Sequence, residues 1–251
     1  MQHEPAFLTV KEQVETLNRQ AVNFGAVQVL EFAMQRSVTN RIALVSSFGA
    51  ESVVLLHMVS LINPSLPVLF IDTQMLFDET LAYQIDVARQ LGLSEVRRIR
   101  PNPVDVSDKD PNGALNQLSK DACCALRKTE PLQQALGEFD TWITGRKRFQ
   151  SGTRAALEFF ENDGDRRIKV NPLAHWQPKD LQTYIEAHQL PKHPLLAKGF
   201  ASIGCAPCTS PVKDGEDARA GRWRDSNKTE CGIHFVNGAA QYQPLAGELS
   251  S

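Results

Sequence analysis

Five cysteines carry the most specific chemistry in the chain: an adjacent pair, Cys123-Cys124, a C-x-x-C at Cys205 and Cys208, and a singleton, Cys231. Four thiolates from two distant segments can hold either tetrahedral zinc or an iron–sulfur cluster, because both accept four sulfur ligands and neither takes a fifth. The C-A-P-C turn brings Cys205 and Cys208 together. Consecutive side chains on a helix point about 100° apart, so Cys123 and Cys124 reach one centre only through a distorted turn or a bulky cluster. A cluster with separate iron corners suits that pair better than one zinc ion. Cys231 sits in TECGIH, with His234 after it and Arg219, Arg222, Arg224 and Lys228 before it. Nearby cations lower a thiol pKa and raise the thiolate fraction that a nucleophile needs. The bland alternative is a buried pair of small apolar residues, an accidental C-x-x-C and an inert tail thiol.

Two loops have the residues to hold anions. Ser46-Ser47-Phe48-Gly49-Ala50-Glu51-Ser52 follows an apolar run and opens a helical pattern, so its hydroxyls and backbone N–H groups, from Ser46, Ser47 and Gly49 above all, can face a phosphate at a positive helix end. It lacks the G-x-x-x-x-G-K of a Walker loop, and an ordinary Ser-capped turn gives the same pattern. TGRKRFQSGTR, residues 144–154, gathers Arg146, Lys147, Arg148 and Arg154 with Gly145 and further Gly, Ser and Thr suited to a bend. That composition fits a polyanion site or a solvated basic loop.

These groups need a scaffold, and the hydrophobic pattern predicts its elements. Apolar runs of buried-strand length occur at 41–48 (RIALVSSF) and 67–72 (PVLFID), with further strands in SEVRRI and TWITG. Helical patterns lie between them, including one with Val53, Val54, Leu56 and Met58. Another is ETLAYQIDVARQLG, where Leu81, Ile85 and Ala88 share a face and Gly92 caps the end. Strands alternating with helices imply an α/β fold, a mostly parallel sheet with helices on both faces and ligands beyond the strand C-terminal ends. ALEFFENDGDRRIKVNPL predicts a hairpin around Asp163-Gly164, and QPKDLQTYIEAHQL a helix with Pro178 in its first turn. The organisation is one domain: an N-terminal helical segment (1–39), an α/β body (40–212) and a loop-rich, mobile C-terminal segment (213–251) that carries Cys231.

Composition narrows the class. The 251 residues are 42% hydrophobic and 22% charged, which excludes disorder and coiled coil. A formal charge of −2 excludes a globally basic nucleic-acid binder but allows a local anion site. The N-terminus has acidic residues where a secretory signal needs positive charge, and no run approaches the ~18 apolar residues of a membrane span. A cytoplasmic chain is expected, with no nucleic-acid or membrane partner. In that reducing setting an odd cysteine count favours metal binding or catalysis over disulfides.

In order, the motifs SSFGAES, DTQMLFDET (72–80), CCALRKTEPL (123–132), TGRKRFQSGTR, GFASIGCAPCTSPV (199–212), ARAGRW (218–223) and TECGIH (229–234) resemble the assimilatory adenylyl-sulfate reductases. These form the cluster-bearing branch of the family that also contains phosphoadenylyl-sulfate reductases. The resemblance runs over roughly residues 40 to 234 and implies an adenine-nucleotide α-hydrolase-like fold. It implies a 4Fe-4S cluster on Cys123, Cys124, Cys205 and Cys208, with Cys231 as nucleophile. It also implies phosphosulfate binding by Lys128, Arg219, Arg222 and His234, and a nucleotide wrapped by the two loops through Ser46, Ser47, Gly49, Gly145, Arg148 and Arg154. The implied reaction converts adenosine 5′-phosphosulfate to sulfite and AMP through an S-sulfocysteine, with a separate thioredoxin as reductant. The family includes homo-oligomers. The chain departs from the family pattern at Gln74, where Gly is common, at Asp78, where Pro is common, at Ala125, where Gly is frequent, and in a short Arg222-to-Cys231 interval. Competing readings are a 3′-phosphoadenylyl-sulfate or dual-specificity reductase, a magnesium-dependent ATP pyrophosphatase, disfavoured by the missing S-G-G-x-D-S, and a non-catalytic iron–sulfur nucleotide sensor.

Overall fold

A computed structural model describes residues 8–35, 41–164, 166–224, 235–236 and 239–240. Nine α-helices and six sheet strands alternate among them: α1 (Val10–Gln20), α2 (Ala26–Met34), β1 (Ile42–Ser46), α3 (Ser52–Ile62), β2 (Val68–Ile71), α4 (Asp78–Gln90), β3 (Val96–Ile99), α5 (Pro103–Lys109), α6 (Leu115–Leu118), α7 (Lys120–Cys124), α8 (Glu130–Ala135), β4 (Thr141–Ile143), β5 (Phe160–Asp163), β6 (Arg167–Val170) and α9 (Pro178–Ala187). A two-residue pair, Phe235–Val236 with Ala239–Ala240, lies apart from the sheet.

The sheet order is β3-β2-β1-β4-β6-β5. All neighbours are parallel except β5 and β6, the expected hairpin, in which Asp163 faces Arg167 across the turn. The chain builds outward from β1 through β2 to β3, then crosses back to lay β4 on the other side of β1. Loops leaving β1 and β4 therefore diverge at their C-terminal ends and open a crevice there.

Strand period sorts the core into two layers. Leu44, Val68, Phe70, Ile143 and Val170 face one side, packed with α1, α2, α3 and α9 residues such as Leu17, Leu30, Leu56 and Leu181. Ala43, Leu69, Ile71 and Trp142 face the other, against Leu132 of α8 and against Leu136 and Phe139 after it. The N-terminal helices share this core. Thr9 and Glu12 close a capping box on α1, and Asn18 donates to Phe160 O at 2.8 Å and accepts from Phe160 N at 3.0 Å. That exchange covers backbone groups of the edge strand β5, which would otherwise stand open.

One helix face differs from expectation. Along α4 the buried residues are Thr80, Tyr83, Gln84 and Val87, whereas Ile85 is 58% exposed and Leu81 and Ala88 are only partly buried. Polar groups decide this rotation: Thr80 Oγ1 lies 3.1 Å from His193 Nε2, and the Tyr83 hydroxyl donates to Pro191 O at 2.7 Å. Gly92 ends the helix as expected, at φ +65°, with its N–H on Arg89 O and that of Leu93 on Ala88 O, a Schellman motif. Residues 213–224 form turns and one isolated bridge, Arg222 with Thr209. Among the described residues no helix is long and apolar enough to cross a membrane.

Candidate active site

The crevice between β1 and β4 is a cavity of about 310 Å³. Ser46, Ser47 and Gly49 from the β1 loop, Gly145 and Arg154 from the β4 loop, Lys128, and Arg219 and Arg222 all line it. Cys123, Cys124, Cys205 and Cys208 line the same cavity. Arg148 does not: its Nε donates to Leu157 O at 2.8 Å and its guanidinium pairs with Glu158 at 3.3 Å. Cys231 and His234 lie outside the described residues.

In the β1 loop, Ser46 Oγ accepts from Phe48 N at 3.1 Å. Phe48 adopts φ +49°, a conformation costly for a large side chain. Its fully buried ring, edge-on to Phe70 at 5.2 Å, holds it there. The β4 loop spends much of its charge internally. Lys147 is buried and pairs with Glu51 at 2.7 Å, Gln150 donates to the same carboxylate at 3.2 Å, and Arg146 pairs with Glu161. Burial pulls the Lys147 pKa down despite the opposing Glu51 charge.

The cysteine pair ends α7, and the chain then widens into a π-turn, Ala125–Thr129, closed by Glu130 N–H on Ala125 O. Pro131 accounts for this distortion. It has no N–H for the Arg127 carbonyl four residues back, and its ring crowds that carbonyl. The second cysteine segment forms a 3-10 turn, Ala206–Cys208, joined to the 72–76 loop by a Leu76–Cys205 bridge and by Ala206 N–H on Met75 O at 2.8 Å. Thr73 Oγ1 lies 3.2 Å from Cys205 Sγ. Gln74 takes φ +61°, the left-handed geometry that explains why Gly suits this position, and Asp78 opens α4 at N1, where Pro is equally at home.

Electrostatically the four thiols form one group. Burial, then Cys124 and Cys205, push the Cys123 thiol up to about 12. Burial, then Cys205 and Cys124, raise Cys208. Among the described residues, no three His, Cys, Asp or Glu side chains are gathered as ligands of one metal ion.

Sequence reasoning missed the pair that braces this region. Asp110, 4% exposed, accepts from Arg127 Nε at 3.0 Å and Nη2 at 2.7 Å, and from Leu115 N at 2.8 Å. Arg127 Nη1 reaches Thr73 O at 3.3 Å. The signal was an arginine between the cysteine pair and Lys128, but its partner 17 residues upstream is visible only after folding.

The phosphoadenosine phosphosulfate reductase domain model matches residues 41–211. An adenosine 5′-phosphosulfate reductase of Mesorhizobium japonicum is 50% identical over 209 residues, 83% of this chain and 82% of that protein. The crystal structure of a phosphoadenylyl-sulfate reductase from Candida auris, in a phosphate complex, superposes with a TM-score of 0.65 at 26% identity, covering 83% of this chain and 100% of that one. Yeast FAD synthetase in complex with FAD shares the fold at a TM-score of 0.52 and 14% identity, covering 83% and 79%. The fold is thus adenine-nucleotide α-hydrolase-like, as expected. A domain match that takes in β1 through β6 and both cysteine segments, together with 50% identity over 82% of a relative, makes this chain a member of the phosphoadenosine phosphosulfate reductase domain family.

Proposed function

We propose that the chain reduces adenosine 5′-phosphosulfate to sulfite and AMP, with Cys231 as nucleophile and a thioredoxin as electron donor. The observation that carries this reading is convergence. Anion-binding loops, Lys128, Arg219, Arg222 and four cysteines, from separate stretches of sequence, line one cavity at the switch point. The Cys231 thiolate attacks the sulfate sulfur, its S–S bond forms as the S–O bond to AMP breaks, and the enzyme holds an S-sulfocysteine. A thioredoxin thiolate then attacks Cys231 Sγ, sulfite leaves with the electron pair, and a second thioredoxin thiol closes the disulfide and frees Cys231. Two thiols supply both electrons. Two anions must meet in the first step, so Lys128, Arg219 and Arg222 neutralise the phosphosulfate, and His234 joins them. Ser46, Ser47, Gly49, Gly145 and Arg154 hold the nucleotide. Arg148 braces the β4 loop through Leu157 and Glu158 instead of touching it.

The cysteines fit a 4Fe-4S cluster. All four thiols line the cavity, and Cys124 and Cys205 act on both Cys123 and Cys208, so two distant segments supply a donor set suited to a body with separate iron corners. Cys123, Cys124, Cys205 and Cys208 would hold it, and it would order the Lys128 segment and tune the field at the substrate.

The unphosphorylated nucleotide is the favoured substrate. Arg146, Lys147 and Arg148 already face Glu161, Glu51 and Glu158, which removes cations that a 3′-phosphate would need. The test is sulfite formation by anaerobically purified protein with reduced thioredoxin, on adenosine 5′-phosphosulfate and its 3′-phosphorylated form, with iron and acid-labile sulfide assayed in parallel. Preference for the former with about four irons per chain is expected. Cys205→Ser should lose iron and activity together. Full activity without iron would refute the cluster's role, and preference for the 3′-phosphate would refute the substrate. A cytoplasmic location and self-association go with the same reading.

A further inference from the structure

We infer that Gly204 is a positioning residue for the anion-binding arm, because its missing side chain is the seat of the Arg222 guanidinium. This rests on the reading above that Arg222 binds the phosphosulfate. Residues 209–223 fold back on themselves beside the C-x-x-C turn. Thr209 bridges Arg222, Ser210 N–H donates to Gly221 O at 2.9 Å, and Trp223 N–H donates to Cys208 O at 3.0 Å. The backbone of the arm is thus fixed by the cysteine segment, but a long arginine side chain still has many rotamers. Contacts that hold one include these: the guanidinium carbon stands 4.4 Å from the Trp223 ring centroid, Nη1 donates to Ile203 O at 3.4 Å, and the head lies against Gly204. A Cβ on Gly204 would stand 2.8 Å from Arg222 Nη1, and closer still to Cζ and Nη2.

The position separates two kinds of damage. Gly204 lies outside the positive-φ region, so alanine suits its backbone. The three heavy atoms nearest to such a Cβ all belong to the far end of the flexible Arg222 side chain, which can swing away. Gly221 is the opposite case: a Cβ there would run into the Ser210 carbonyl, which is backbone and cannot yield. Gly204→Ala therefore displaces Arg222 and leaves the fold and the neighbouring Cys205 in place.

The test is a double-mutant cycle on full-length, anaerobically purified protein. Calorimetry with ADP, whose diphosphate has the span of a phosphosulfate and about one more negative charge, reads the arm without turnover. Gly204→Ala should weaken ADP binding and lower kcat/KM by about tenfold or more, the scale of a charge-assisted hydrogen bond, with iron content and melting temperature unchanged. In an Arg222→Ala background the same substitution should change nothing further. Unchanged ADP affinity in Gly204→Ala would overturn the inference. So would lost iron, or a double variant weaker than Arg222→Ala alone, since either places the damage in the cysteine turn. Should the wild type turn over neither sulfonucleotide while the cycle still shows coupling, the reductase reading falls and the seat stands.

Discussion

At the scale of single residues, the site rests on buried charges that have partners, and the cost of removing one partner is large. Asp110 holds Arg127 with two hydrogen bonds, and Arg127 in turn holds the Thr73 carbonyl beside Cys205. Asp110→Ala would leave a guanidinium, itself 5% exposed, without its carboxylate. Breaking a buried pair from one side costs about 3–5 kcal/mol. Urea unfolding should show a loss of that order, with an unchanged m value. A loss below about 1 kcal/mol would mean that the pair behaves as a solvent-exposed one. The Glu51–Lys147 pair repeats this logic across the crevice, joining the β1 loop to the β4 loop. None of these pairs was legible in the sequence. TGRKRFQSGTR shows four cations, but which of them face solvent, substrate or a glutamate depends on partners as far as 96 residues away.

At the scale of elements, two junctions carry predictions. His193 starts the 3-10 turn Pro194–Lys198 by accepting Leu195 N–H on Nδ1 at 3.2 Å, while Nε2 faces Thr80. Protonation would put a donor against a donor at Nδ1, and burial pushes the His193 pKa down to about 4. The unfolded chain takes up a proton near pH 6.5 that the folded chain refuses until about pH 4. Stability is therefore unaffected above pH 6.5 and falls through that window, by about 3 kcal/mol when complete. His193→Asn keeps a capping acceptor without the titration, so its melting temperature should decline less between pH 7 and pH 4.5. Parallel decline in both proteins would locate the acid sensitivity elsewhere. The second junction is the π-turn. Pro131→Ala restores the N–H that an α-helix needs, so Ala125–Thr129 can tighten into regular helix and rotate Lys128 relative to Cys123-Cys124. Lower iron content and activity with no loss of melting temperature are expected; unchanged iron content would show that the distortion has another cause. The sequence made much of this scale readable. Strands such as Val68–Ile71 are apolar throughout because both faces are buried, and Asp163-Gly164 marks its hairpin. The cysteine doublet itself called for an irregular turn. The face of α4 was not readable, because Thr80 and Tyr83 are buried through partners near residue 190 that a count of apolar residues ignores.

At the scale of the molecule, strand order decides function, and order is the property that local pattern carries least. Alternating strands and helices predict a parallel sheet, but only the return of β4 to the far side of β1 puts the crevice between Ser46 and Gly145. That crevice also polarises the protein. The whole chain carries a formal charge of −2, yet Lys120, Lys128, Arg154, Arg219 and Arg222 converge on one cavity. An anionic substrate is therefore drawn toward a local positive field on a weakly negative body, and mobile ions weaken that field over a Debye length of about 10 Å at 0.1 M salt. Raising sodium chloride from about 0.05 M to about 0.5 M should lower kcat/KM for adenosine 5′-phosphosulfate several-fold through KM, while kcat, set inside the cavity where screening is weak, stays nearly constant. Viscosity-matched controls with a neutral solute separate this from slower diffusion. A kcat that falls as steeply as kcat/KM would place the salt-sensitive contacts in the chemical step or in the encounter with the electron donor, and capture by the cavity's field would then no longer account for the effect.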